Sequence, residues 1–267
     1  MTRHNRHILK LRMGLPFPFF CVLICFSVMI AWGHTSNLLP GDSMGTLLLN
    51  TFGGCVWSEE TDVHEIISWM ILFLPSGISA GIILSNRLSG YLSMEGYRFR
   101  KTLRWYISLT AHIMLTVLII ALIQIAFVFL FGVFYGYTGW NVWIEDVDGF
   151  TMLNSLQPCM APLLFLLYDE LIILISTVMY YISRQMTWYY IALLCPSACG
   201  VMAYSNPYMD NLWNPIHFGM AHRLSVEGGY GVQPLVACLG LLALSAVAII
   251  LGGIYCCTLS VYDRKTE

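Results

Sequence analysis

The chain has 267 residues, 58% hydrophobic and 10% charged, with a net charge of -2. A soluble domain carries about 25% charged residues, so a surface facing water on all sides is excluded and lipid is the natural surrounding. The near-neutral balance gives no electrostatic footing for nucleic acid.

The first twelve residues carry Arg3, Arg6, Lys10 and Arg12 with His4 and His7. They read either as a short helix lying on an anionic inner leaflet or as a plain topogenic tail. A helix needs about 20 mostly apolar residues to cross the hydrocarbon. On that criterion six spans are expected, at 15–32, 66–84, 106–134, 162–182, 188–204 and 235–257. The first has the alternative reading of a signal peptide, with Ala31-Trp32-Gly33 as a loose cleavage site. The third exceeds one perpendicular crossing, so it tilts or begins in the interface. The fifth is short and contains Pro196.

Basic residues orient these spans, because they stay on the cytoplasmic side. Arg87, Arg98, Arg100, Lys101 and Arg104 lie between the second and third spans, Arg184 between the fourth and fifth, and Arg264 and Lys265 after the sixth. With the N-terminal four, these leave only Arg223 on the other side. The fold class expected is therefore all-α: a polytopic bundle of six transmembrane helices in the plasma membrane, with both termini cytoplasmic.

Chemistry is sparse. Lys10, Lys101 and Lys265 all lack the Gly-Lys-Ser/Thr setting of a phosphate-binding loop, so the chain is expected to hydrolyse no ATP and to carry no cofactor. Catalytic residues and metal ligands are expected to be absent. Glu59-Glu60 read as a solvated acidic loop. Of the nine cysteines, only Cys55 and Cys159 fall near outer loops, as two free thiols or one disulfide.

The membrane interior is more informative. Asp169 and Glu170 interrupt the fourth span, and each costs about 2.5 to 3.5 kcal/mol at a bilayer centre on insertion scales. No lysine or arginine lies in any expected span to pair with them. They must face a neighbouring helix or water, or carry a proton part of the time. Ser76 after Pro75, Gln124, Ser197 after Pro196, and Ser245 fall at similar depth. Proline frees a carbonyl that needs a partner. This expected cluster of Ser76, Gln124, Asp169, Glu170, Ser197 and Ser245 lines a transport path, a subunit interface or a buried structural network. Gly77-x-x-x-Gly81 and Ala248-x-x-x-Gly252 present small faces for packing within the chain or along a dimer seam.

Two loops exceed what a connection requires. The cytoplasmic loop 85–105 has a turn at Ser89-Gly90, an amphipathic stretch with Tyr91, Leu92 and Met94, then a basic-aromatic run. It suits protein docking, with arginine and aromatics as anchors, or anionic headgroups. The outer loop 205–234 contains Trp213-Asn-Pro-Ile-His-Phe-Gly219 and Gly228-Gly-Tyr-Gly231, which read as short helices dipping into the outer interface before the last span.

This arrangement resembles the permease subunits of type-2, export-type ABC transporters. More narrowly, Tyr91-Leu-Ser-Met-Glu-Gly-Tyr-Arg-Phe-Arg-Lys-Thr-Leu-Arg-Trp-Tyr106 is similar to a run in small permease-like proteins of Gram-positive bacteria linked with antimicrobial-peptide export or immunity. The resemblance implies that Tyr91, Met94, Glu95, Gly96, Tyr97, Arg98 and Arg100 form the coupling segment. That segment would contact a separate ATP-binding subunit, beside a second permease half, identical or not. The short N-terminus departs from permeases with a full interface helix. A non-transporting immunity or sensory partner and an intramembrane enzyme using Asp169, Glu170, His217 or His222 are the other readings.

Overall fold

The computed structural model describes residues 22, 25, 29, 30, 33, 43–54, 63–90, 102–146, 149–153, 156–183, 185–202, 217–223 and 232–263. Among them, six helices run in the order α1 (Met44–Phe52), α2 (Val63–Gly90), α3 (Thr102–Phe134), α4 (Leu156–Ser183), α5 (Met186–Met202) and α6 (Pro234–Asp263). Four segments are long and apolar enough to cross a membrane, Ile67–Asn86, Leu103–Phe134, Pro158–Ser183 and Pro234–Cys256, while Met186–Cys195 is a shorter apolar stretch. The chain is thus a helical, membrane-embedded protein. Of the expected first span, only Val22, Cys25, Met29 and Ile30 are described, all helical, and Ile30 packs on the core.

Surface and interior both fit a lipid surrounding. Leu115, Leu122, Leu130 and Val133 on α3 and Leu239, Leu242, Ile250 and Ile254 on α6 are all exposed, which suits hydrocarbon rather than water. Polar residues are found inside instead, among them Ser76, Ser79, Gln124, Asp169, Ser176 and Thr177.

Contacts fix the relative directions of the helices. Gln124, late in α3, reaches Leu72, early in α2. Tyr106, early in α3, meets Tyr181, late in α4, and the second half of α6 at Ile249 and Gly252. Gly77 of α2 faces Leu193 of α5, and Gly81 faces Met186 and Tyr190, so those two helices also run antiparallel. Consecutive long helices therefore alternate in direction. The packing centre is α4, which touches every other helix from α1 to α6.

Both small-residue motifs pack within the chain. A Cβ at Gly77 would strike the Leu193 side chain, and one at Gly252 would strike the Tyr106 hydroxyl and Val178. Their close approach also permits two hydrogen bonds: Tyr189 Oη donates to Gly77 O at 2.8 Å and Tyr106 Oη to Ile249 O at 2.9 Å.

Three features depart from expectation. First, the stretch after the first span contains a buried helix, α1. Ser43 caps its N-terminus by accepting from Thr46 N–H at 3.2 Å, and Ser43 Oγ donates to Asn141 O at 2.6 Å. Second, residues 142–153 form a hairpin, β1 (Val142–Asp146) antiparallel to β2 (Gly149–Leu153), with Asp146 opposite Gly149. Third, α2 continues to Gly90 and α3 begins at Thr102. The turn expected at Ser89-Gly90 is therefore the end of a helix, since Leu84 and its neighbours extend the α pattern without a proline to stop it. Residues 91–101 lie outside the described residues.

Candidate functional site

Short segments pack on the end of the bundle where α6 begins. His217–Gly219 and Ala221–Arg223 form two 3-10 turns before α6, and His217, Phe218, Met220 and Ala221 are buried. Gly219 lies against the Tyr168 ring and Phe218 against Gly240, so these turns wedge between α4 and α6. His222 N–H donates to Gly53 O at 3.0 Å, tying them to the end of α1. Gly54, at φ 81° and with Met220 where a side chain would stand, needs the left-handed region that glycine tolerates. Of the loop expected to dip into the outer interface, residues 217–223 form these 3-10 turns, while Trp213 and residues 224–231 lie outside the described residues.

Beneath these turns sits an aromatic layer. Phe165 of α4 has ring centroids 5.0 Å from Phe52, 5.4 Å from Phe73 and 6.3 Å from Trp69. Tyr168 stacks on Trp69 at 6.0 Å and meets Phe73 edge-on at 5.6 Å. Edge-to-face and offset geometries at these separations are the favoured ones.

One helical turn further along α4 from Phe165 comes Asp169, at the middle of its helix. Opposite it, α2 is broken by Pro75. Proline has no N–H, so the carbonyl of Ile71 loses its helical donor and neighbouring carbonyls loosen. Side chains from three helices turn to this stretch. Gln124 Nε2 donates to Leu72 O at 3.2 Å, Ser79 Oγ to Pro75 O at 2.7 Å, and Tyr189 Oη to Gly77 O. Each bond of this kind is worth about 0.6 kcal/mol in membrane proteins.

Asp169 and Ser76 are fully buried, and the Ser76 hydroxyl lies beside the Asp169 carboxyl. Ser76 Oγ and both Asp169 oxygens make no hydrogen bond. Gln124 Oε1 is likewise buried and unbonded. Glu170 is only partly buried, as expected for a residue turned about 100° around the helix from Asp169.

The structure therefore brings Ser76 and Asp169 together, with Gln124 about one helical turn away along α2. Ser245 is half-exposed on α6, away from the seam between α2 and α4. The Ser197 side chain lies outside the described residues, as do all seven coupling-segment residues, Tyr91, Met94, Glu95, Gly96, Tyr97, Arg98 and Arg100. Cys159 is an exposed free thiol and Cys55 lies outside the described residues. Among the described residues no group of three or more His, Cys, Asp or Glu could hold a metal ion.

Two members of the seam are not apparent from sequence reasoning. Ser79 has a readable signal, a hydroxyl four residues after a proline whose carbonyl it can bond. Tyr189 has none, since Trp188-Tyr189-Tyr190 reads as an interfacial anchor. The chain matches no family model, no curated protein and no solved structure, so the chemistry of the site rests on its own residues.

Proposed function

We infer that the chain is the membrane-spanning subunit of a type-2, export-type ABC transporter in the cell membrane. It has six spans with both termini cytoplasmic, and a separate ATP-binding protein hydrolyses ATP. The observation that carries this reading is the pair of 3-10 turns wedged into the outer end of the bundle directly before α6. Small re-entrant elements at that place are what the resemblance implies. The alternating helix directions support the span order, and the basic residues between α2 and α3 support a cytoplasmic face for that loop. A second copy of this chain or a related half completes the translocation path. The cargo in this reading is a peptide, a lipid-like molecule or another small substrate.

In this reading Tyr97 and Arg98 dock the ATPase, as an aromatic-arginine anchor of the kind that dominates interfaces. Affinity purification of the tagged chain from its native host is expected to recover an ATP-binding protein carrying a phosphate-binding loop. The double variant Tyr97→Ala, Arg98→Ala is expected to lose at least about tenfold of that recovery, since two hot-spot truncations cost about 2 kcal/mol or more each. Unchanged recovery, with the chain still inserted, would remove the coupling assignment.

A further inference from the structure

We propose that Asp169 and Ser76 form a binding site for a small monovalent cation, sodium or a proton, in the membrane core between α4 and α2. A buried carboxylate must be paired, hydrogen-bonded or neutralised. Here its oxygens accept no hydrogen bond, and no lysine or arginine lies within 66–84, 106–134, 162–182, 188–204 or 235–257 to pair with it. Beside it Ser76 offers a second oxygen, also buried and unbonded.

Three of the surrounding donors are committed elsewhere. Ser79 and Tyr189 both donate to α2 carbonyls, and the Gln124 amide does so at Leu72. None of these bonds is to the carboxyl. The break at Pro75, the residue before Ser76, frees the Ile71 carbonyl in the same stretch of α2. A divalent ion is a poor fit, because calcium takes about six to eight oxygens and magnesium about six in octahedral array. One carboxylate and one hydroxyl provide a single negative charge and few ligands, which suits one positive charge.

Position adds to the case. The layer of Phe52, Trp69, Phe73, Phe165 and Tyr168 lies one turn toward the outer end. It separates Asp169 from the outer surface, so a cation held there is shielded from that side until α2 and α4 part. The site does not depend on the transporter reading and can be tested on this chain alone.

The test uses the purified full-length chain in lipid nanodiscs, with the apolar reagent dicyclohexylcarbodiimide, which modifies a carboxyl that has taken up a proton. Modification of Asp169 is read by peptide mass spectrometry in choline chloride and in sodium chloride. Labelling in choline that falls roughly tenfold at sodium about ten times above its dissociation constant identifies sodium. Labelling at equal rates in both salts identifies the proton. Absence of label at Asp169, while other carboxyls of the same sample react, overturns the proposal. Ser76→Ala is expected to change the Asp169 labelling rate several-fold, and an unchanged rate removes Ser76 from the site. Asp169→Asn, verified as a single species by size-exclusion chromatography, is expected to lose that label and any sodium-dependent rise in melting temperature. A sodium response that persists in Asp169→Asn also overturns the proposal.

Discussion

Replacing Phe165 by alanine is expected to destabilise the protein by about 3 kcal/mol, the low end of the roughly 3 to 5 kcal/mol typical of buried phenylalanine truncations. The low end applies because lipid is as apolar as a side chain, so little hydrophobic transfer is lost inside a membrane. What is lost is packing. Phe165 is fully buried and its ring touches those of Phe52, Trp69 and Phe73, so it joins α1 and α2 to α4. Phe129→Ala is the control, since that ring is 38% exposed and stacks on Trp140 at the bundle's edge. Thermal unfolding in nanodiscs should place Phe165→Ala well below Phe129→Ala. Equal losses would mean that the aromatic layer does not hold α1 and α2 to α4.

The second large effect is expected at Gly77. Leucine there is expected to cost about 3 kcal/mol or more, at or above the top of the usual range for overpacking. The added Cβ alone would strike Leu193, and α2 cannot retreat without breaking the Tyr189 bond to Gly77 O. A helix pair held by close backbone approach has no slack to absorb a side chain. A Cβ added at Gly33 would meet nothing within 4 Å, so Gly33→Ala is expected to stay within about 0.5 kcal/mol of the parent. Thermal unfolding of the two variants side by side checks this. A tolerated Gly77→Leu would show that α5 does not pack as described.

Much of this architecture is readable in the sequence, and the reasons for the misses are physical. Long apolar runs declare themselves because a spanning helix is mostly apolar on its lipid side and its packed side alike. That is why 66–84, 106–134, 162–182 and 235–257 correspond to long helices. The fifth run is a helix too, Met186–Met202, but its apolar part is short. Helix α1 gives no such signal. At nine residues it is too short to span, and its polar face, Thr46 and Asn50 four residues apart, repeats only once. Its stability comes from tertiary contacts with α4 and α3, as is usual for short helices, and those contacts are invisible locally. The hairpin is hidden because its two strands are only five residues each and the first ends in the acids Glu145 and Asp146.

At the site, Asp169 is conspicuous because a carboxylate in an apolar run has few explanations. Pro75 marks the place on α2 where polar partners gather. Depth alone, however, does not tell which residues face one another. Ser76 lies beside Asp169, whereas Ser245 at a similar depth is half-exposed on another helix. Angular position around each helix decides that, and it is set by packing of Gly77 on α5 and Phe165 on α1 and α2.

In the proposed topology the basic loop between α2 and α3 faces the cytoplasm. Single cysteines placed by Glu95→Cys and Asp146→Cys in a cysteine-free chain, reacted with a membrane-impermeant maleimide on intact cells, test it most directly. Labelling is expected at position 146 in intact cells and at position 95 only after the membrane is opened. Labelling at 95 but not at 146 in intact cells, or a chain that stays in solution without detergent, would contradict it.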